Sequence, residues 1–285
     1  MFLLLSNPTS GNGRGKLIAL NIVRELNARG IQYEDISGTS FESASAKLKN
    51  TITNRNISGI ILVGGDGMVH LVAQHVATSE IPILLIPAGT GNDFARTLNL
   101  NTKEPVANLE LLSTTPKHVD IGKVNFRYFA QILSTGFDSM VNERANRMRS
   151  NGRWKYNLAM LAELPLFRPK EYLFNVDGQA FKCHAMLIAV ANGTSYGGGM
   201  KICPDARVDD GFFDIMILKP VSKLEFLKVF PKVYKGTHVN HPQIEIFRGK
   251  KIEISAEAVA YADGERIGEL PLTAEIIPKA LKVWY

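Results

Sequence analysis

The chain has two cysteines in 285 residues, Cys183 and Cys203. That is too few for a disulfide scaffold or a structural zinc site, and it fits a reducing interior. No stretch approaches the roughly 18–20 consecutive apolar residues needed to span a bilayer, so any membrane contact is expected to be peripheral. The apolar start, Met1 to Leu5, has no basic leader and runs straight into Ser6-Asn7-Pro8, so it reads as a first strand and not as a signal peptide. Low-complexity tracts, internal repeats and a flexible linker are all missing. With 45% hydrophobic and 21% charged residues, the composition excludes disorder as a global description. Neither the Gly-x-x-x-x-Gly-Lys-Ser/Thr loop nor a Gly-x-Gly-x-x-Gly with its acidic partner follows a strand, and there is no Gly-x-Ser-x-Gly elbow. The histidines are scattered (His118, His184, His238, His241, and the pair His70 and His75), so they read as structural and not as a metal cluster.

What is present begins with a formal net charge of +6, which favours anionic partners without naming one. The length suits one large domain or two of roughly 120–160 residues. Up to about residue 115, apolar runs at Phe2–Leu5, Ile60–Val63 and Ile83–Ile86 alternate with helical stretches, the pattern of a parallel sheet flanked by helices. Residues 16–29 are predicted to be helical with Leu17, Leu20, Val23 and Leu26 on one face; further helices are expected near 42–50 and 68–77. From about residue 118 the chain turns to short β-prone segments at 126–133, 172–176, 185–191, 213–218, 243–247 and 251–254. Helices are expected at 141–161 and 223–233. A second, mainly antiparallel, sandwich-like domain follows from that texture.

Three strand ends in the first half converge on one task. In a parallel sheet the loops after the strands' carboxyl ends lie side by side, and ligands bind there. The first loop is Asn7-Pro8-Thr9-Ser10-Gly11-Asn12-Gly13-Arg14-Gly15-Lys16, the second Gly64-Gly65-Asp66-Gly67, the third Pro87-Ala88-Gly89-Thr90-Gly91-Asn92-Asp93-Phe94. Each opens into a helix, where free backbone amides favour phosphate, and the glycines permit close backbone approach. One such loop is an ordinary tight turn; three together point to a nucleotide site.

These three blocks resemble the signature of the diacylglycerol kinase catalytic family, particularly its soluble bacterial lipid kinases, within the NAD kinase and phosphofructokinase-like superfamily. Gly136-Phe137-Asp138, Asn192 to Gly199, Pro204-Asp205-Ala206 and Asp209 to Asp214 are similar to the family's further blocks, in the expected order. The glycine block alone is shared with NAD kinases and phosphofructokinases; the ordered set covers nearly the whole chain.

The resemblance implies an α/β N-terminal domain with a mainly parallel sheet and a mainly antiparallel β-sandwich C-terminal domain. Residues 1–119, with 280–285 returning to them, would bind nucleotide and 120–279 lipid. It implies ATP as co-substrate, contacted by Asn7, Ser10, Gly11, Thr39, Gly64, Gly65, Asp66, Gly67 and Thr90. Glu265 of Asp263-Gly264-Glu265 would be the general base, although Asp-Gly is also an ordinary hairpin turn. Asp66 would help organise magnesium, or cap the following helix. A structural magnesium would be held by the Asp210 carboxylate and the backbone carbonyls of Arg207 and Phe212. Met68 and His70 stand where the family usually has threonine and asparagine.

The implied reaction is ATP-dependent phosphorylation of a lipid hydroxyl in phospholipid biosynthesis, diacylglycerol to phosphatidic acid by default. The alternatives are an NAD kinase or other soluble-substrate kinase, or a non-catalytic nucleotide or lipid sensor. The expected setting is cytoplasmic, peripheral at the inner face of the membrane, with no nucleic acid and with a homodimer allowed. Arg144, Arg147, Arg149 and Arg153, followed by Trp154, Tyr156, Leu158, Met160, Leu161, Leu164 and Phe167, are the candidate contact with anionic lipid; the alternative is a solvated helix face followed by core.

Overall fold

The computed structural model describes residues 1–148 and 154–285, the side chains of 154–157 excepted. The first half runs β1 (Phe2–Ser6), α1 (Arg14–Ala28), β2 (Tyr33–Asp35), α2 (Phe41–Asn54), β3 (Gly59–Gly64), α3 (Asp66–Val76), β4 (Ile83–Pro87) and a short α4 (Asp93–Thr97). The four strands pair in parallel in the order β2-β1-β3-β4. Alternate side chains of a strand point to opposite faces, so each continuous apolar run feeds two cores. Leu3, Leu5, Ile60, Leu62, Ile83 and Leu85 pack with Leu48 of α2 and Val69 and Val72 of α3. Leu4, Ile61, Val63, Leu84 and Ile86 pack with Ile18, Ile22 and Leu26 of α1.

The buried stripe of α1 differs from the expected one. Gly15, Ile18, Ile22 and Leu26 are buried, whereas Leu17 and Leu20 are exposed. Gly15 sits against the carbonyl oxygen of Asn7, where no Cβ fits. This close approach sets the rotation of the helix, and the i, i+4 row beginning at Ile18 faces the sheet.

After a 3₁₀ stretch (Pro105–Ser113), the second half begins with β5 (Lys117–Val124), β6 (Arg127–Phe129), β7 (Ile132–Gly136), α5 (Phe137–Arg147) and α6 (Trp154–Glu163). Next come β8 (Lys170–Val176), β9 (Gln179–Ala185), β10 (Leu187–Ala191), β11 (Phe213–Leu218), α7 (Lys223–Val229) and 3₁₀ stretches at Phe230–Lys235 and Thr237–Asn240. The chain ends with β12 (Ile244–Gly249), β13 (Lys251–Ser255), β14 (Val259–Ala262), β15 (Glu265–Glu269) and β16 (Leu272–Val283). Two segments expected to be single strands are divided: 126–133 contributes to β6 and β7, and 185–191 to β9 and β10. The helical stretch expected at 141–161 is likewise divided between α5 and α6.

The long β16 joins the halves. It pairs in parallel with β4 at Val283 and Ile83 and antiparallel with β5 and β13, so one sheet runs β2-β1-β3-β4-β16-β13-β8-β9. A second, antiparallel sheet, β12-β11-β10-β7-β14-β15, packs against the far half of the first. Between them lies a core that includes Phe129, Tyr172, Phe174, Ile188, Phe213, Ile215 and Ile252. The outer face of this second sheet is covered by α5, α6 and α7, through Phe137, Met160, Leu164 and Phe226.

Candidate active site

The parallel strands deliver three glycine loops to one edge, and small contacts lock them together. In the first loop, the Asn7 side-chain oxygen accepts from the backbone N–H and the hydroxyl of Thr9, at 3.0 and 2.8 Å. Gly11, at φ +59°, lies against the carbonyl of Ala88 in the third loop, with no room for a side chain. Gly65 and Gly89 are back to back: a Cβ on Gly89 would lie 2.7 Å from the Gly65 Cα. Asn92, in the left-handed region, closes the third loop by accepting from Gly89 N and donating to Gly89 O, both at 2.8 Å. Thr90 is exposed above this loop. Thr39 is exposed in the loop after β2, which is tied to β1 by Ser6 N donating to the Ser37 hydroxyl at 2.9 Å.

Asp66 opens α3 and is half-buried between the loops. Its carboxylate accepts the backbone N–H of Phe94 at 3.0 Å, so the helix it caps is α4 and not its own. Burial pushes its pKa up, the neighbouring Asp93 charge adds to that, and the backbone amides pull only partly the other way, leaving it at about 6. Gly91 makes room for this acid, since a Cβ there would come within 2.8 Å of the Asp66 carboxylate.

Asp93 is a residue that sequence reasoning missed. Its carboxylate accepts from the Ser195 hydroxyl at 3.1 Å and from the backbone N–H groups of Gly198 and Gly199 at 2.8 and 2.7 Å, so it fastens the glycine turn of the second half to the glycine loops of the first. The three consecutive positive-φ glycines, Gly197 to Gly199, were the available signal.

The Asp263-Gly264 pair is a hairpin turn and a site element at once. Both residues have positive φ, 50° and 85°, as a two-residue turn requires. The buried Asp263 carboxylate accepts from the backbone N–H groups of Ala130, Gln131 and Ile132, at 2.6, 2.9 and 3.2 Å. It lies 3.7 Å from Nδ1 of His70, a buried atom without a hydrogen-bond partner, and its charge contributes to raising the Asp66 pKa. Glu265 follows on the exposed side of the turn, and the next residue, Arg266, meets Glu143 of α5 at 3.6 Å. Met68 is buried, its side chain packed under Gly64.

Arg207, Asp210 and Phe212 lie elsewhere, in the loop before β11. The Asp210 carboxylate accepts from Phe212 N at 3.1 Å and pairs with Arg248, while Asp120 of β5 receives Gly211 N at 2.7 Å. Among the described residues no group of three or more His, Cys, Asp or Glu side chains gathers as a metal cluster. The expected basic and apolar membrane segment divides. Arg144 pairs with Glu163, Met160, Leu164 and Phe167 are core, and Leu158 and Leu161 are exposed. Arg149 and Arg153, and the Trp154 and Tyr156 side chains, lie outside the described residues.

Comparison with known proteins gives this arrangement relatives. Residues 1–124 match the diacylglycerol kinase catalytic domain and residues 131–285 the YegS C-terminal NAD kinase beta sandwich-like domain. The chain is 35% identical to a diacylglycerol kinase of Mycobacterium tuberculosis, over 98% of this chain and 93% of that one. It is 30% identical to one of Bacillus subtilis, over 94% and 90%. Its fold superposes on a diacylglycerol kinase of Bacillus anthracis with a TM-score of 0.76 at 22% identity, covering 100% of this chain and 96% of that one. It also superposes on an NAD kinase of Archaeoglobus fulgidus, solved with ATP, with a TM-score of 0.57 at 14% identity, covering 100% and 94%. Among the described residues no helix is long and apolar enough to cross a membrane.

Proposed function

The chain belongs to the diacylglycerol kinase family and is a kinase, and on that premise we propose that it transfers the γ-phosphoryl group of ATP to the hydroxyl of diacylglycerol. One juxtaposition carries the reading: three glycine loops meet at one sheet edge around the half-buried Asp66, and the Asp263 carboxylate of the turn bearing Glu265 lies 3.7 Å from His70 of α3 and close enough to Asp66 for its charge to raise that pKa.

Phosphoryl transfer asks for positioning and charge stabilisation more than covalent chemistry. The Phe94 N–H at the start of α4 is taken by Asp66, and the Arg14, Gly15 and Lys16 N–H groups at the start of α1 are bonded within their own loop, so the glycine turn opening α3 is the helix start that would meet phosphate. Asn7, Ser10, Gly11, Gly64 to Gly67 and Thr90 border that space, with Thr39 beside it. Glu265, exposed at the turn, takes the hydroxyl proton. The Asp93 oxygens are taken by Ser195, Gly198 and Gly199 with Arg96 alongside, so Asp66, whose pKa the Asp93 charge helps to raise, is the carboxylate that would hold magnesium, and the ion would offset the phosphate charge. A structural magnesium at Asp210 and the carbonyls of Arg207 and Phe212 has oxygen donors of the right kind and would take the place of Arg248.

The acceptor would use a separate space. A cavity of about 310 Å³ between α5 and α6, lined by Met140, Glu143, Arg144, Arg147, Met148 and Glu163, adjoins the Glu143–Arg266 contact next to Glu265. Its two methionines offer apolar contact to a lipid, and its charges balance, two arginines against two glutamates with Arg144 paired to Glu163.

The test is transfer from γ-labelled ATP with magnesium to diacylglycerol in mixed micelles, with monoacylglycerol, ceramide, sphingosine, phosphatidylglycerol and NAD as competing acceptors. Labelled phosphatidic acid is expected. No labelled lipid in any condition would overturn the reading, and label appearing on NAD alone would replace it.

A further inference from the structure

We infer that the surface formed by α7, the following 3₁₀ stretch and the loop after α6 docks on an anionic lipid bilayer; this rests on the lipid-kinase reading and assigns it a membrane face. Leu224 and Leu227, one helical turn apart on α7, are 74% and 40% exposed, and Tyr234 is 43% exposed. Leu166, 66% exposed, belongs to the same surface: Lys223 donates from Nζ to the carbonyl of Pro165, and Phe167 and Phe226 both pack edge-on against the Phe137 ring, at 5.2 and 5.1 Å. Large apolar side chains in such numbers on one short element are not needed by the core, which Phe226 and Val233 already reach.

The charge around them selects the partner. Lys223, Lys228, Lys232 and Lys235 are exposed along these thirteen residues, whereas the one acid, Glu225, is engaged by His241 at 3.2 Å. Leucines that insert beside lysines that remain at headgroup level are the pattern of an interfacial element on an anionic surface. The rings beneath it (Phe137, Phe226, Phe230 and Tyr234) form a continuous series of contacts, giving the exposed side chains a firm base.

The placement also serves transfer. Phe137 begins α5, and six residues on, about 9 Å along the helix, Glu143 meets Arg266 beside Glu265. The cavity between α5 and α6 lies along this path. A diacylglycerol leaving the bilayer at α7 therefore has a short route, over protein, to the general base.

Flotation with vesicles tests the face, using phosphatidylcholine alone and phosphatidylcholine with phosphatidylglycerol in equal parts. The wild-type chain should float with the anionic vesicles and not with the neutral ones. Leu224→Gln with Leu227→Gln, and separately Lys228→Glu with Lys232→Glu, should each reduce binding, the latter by on the order of fivefold or more for each lysine lost. Both pairs are surface changes; unaltered circular dichroism and unaltered phosphorylation of a monomeric short-chain diacylglycerol, which needs no surface, would confirm an intact fold and site. Wild-type-like flotation of both pairs, equal binding to neutral vesicles, or no flotation of the wild-type chain would each overturn the inference. Failure of the wild-type chain to phosphorylate the monomeric substrate would count against the lipid-kinase reading alone, because flotation judges the docking face independently.

Discussion

The carboxylate of Asp66 accepts the backbone N–H of Phe94 at 3.0 Å, so the acid at the start of one helix caps another that follows a different glycine loop. The bond stabilises the ionised form, yet burial and the charge of Asp93 outweigh it and hold the pKa near 6 against an ordinary 3.8. With the folded pKa above the unfolded one, the stability that Asp66 contributes is fully present below about pH 3.8 and is lost as pH rises through 6. At neutral pH and without ligand, the ionised acid costs the fold on the order of 3 kcal/mol.

Asp66→Asn keeps an acceptor for Phe94 and removes the charge. In buffer containing a chelator, it should stabilise the chain by about 1–3 kcal/mol at pH 8, with the gain shrinking toward pH 4. Phosphoryl transfer should fall at least about a hundredfold, the scale of a lost transition-state electrostatic contact. Urea unfolding at the two pH values, with turnover measured alongside, checks both halves. A variant less stable than wild type at pH 8 would contradict the account of Asp66 as a strained acid.

On the proposed scheme, the Asp263-Gly264-Glu265 turn carries a structural carboxylate at Asp263 and the general base at Glu265. Asp263→Ala leaves three buried backbone N–H groups without an acceptor and should cost about 2–4 kcal/mol, with activity lost through displacement of the turn. Glu265→Gln touches an exposed side chain and should abolish most transfer while the unfolding midpoint stays where it was. Thermal melts of the two variants distinguish the roles, and wild-type turnover in Glu265→Gln would remove the general base from the scheme.

Gly89 is where two of the glycine loops touch. Its added Cβ would meet the Gly65 Cα at 2.7 Å and the Asn92 side-chain oxygen at 2.8 Å. Gly89→Ala should therefore push the second and third loops apart, costing about 1–3 kcal/mol and raising the KM for ATP more than it lowers kcat. Steady-state kinetics at saturating lipid would show the split; an unchanged KM would mean that the loops do not bind nucleotide as a unit.

The parts of this site that were legible in the sequence are those whose signal is local. An apolar run followed by glycines and a helix start marks Gly64 to Gly67 without outside help, and the same pattern located the other two loops. The role proposed for Glu265 rests on resemblance alone, because Asp-Gly at a hairpin looks the same whether or not an acid beside it is used. Asp93 and His70 were not legible as parts of the assembly: their partners are Ser195, Gly198 and Asp263, more than a hundred residues away in the chain. The phase of α1 failed for a related reason. Leu17, Leu20, Val23 and Leu26 form a valid stripe in isolation, and only the approach of Gly15 to Asn7 selects the row through Ile18 instead.

Met68 takes its place by packing. It is buried with Leu62, Leu85 and Phe94, and a Cβ on Gly64 would lie 2.6 Å from its Cγ, so the methionine occupies the space that the missing side chain of Gly64 leaves open. The two positions should therefore be energetically coupled. Met68→Ala should cost about 2–4 kcal/mol through the void it leaves, and Gly64→Ala should be costly in the wild-type background through the clash. In the double variant the added methyl enters the void, so the sum of the single effects should exceed the measured loss by about 0.5–3 kcal/mol. Urea unfolding of the four proteins completes the cycle. Strict additivity would show that Met68 does not fill the floor of the glycine turn, and the explanation for this residue would then have to be sought on the ligand side of the loop.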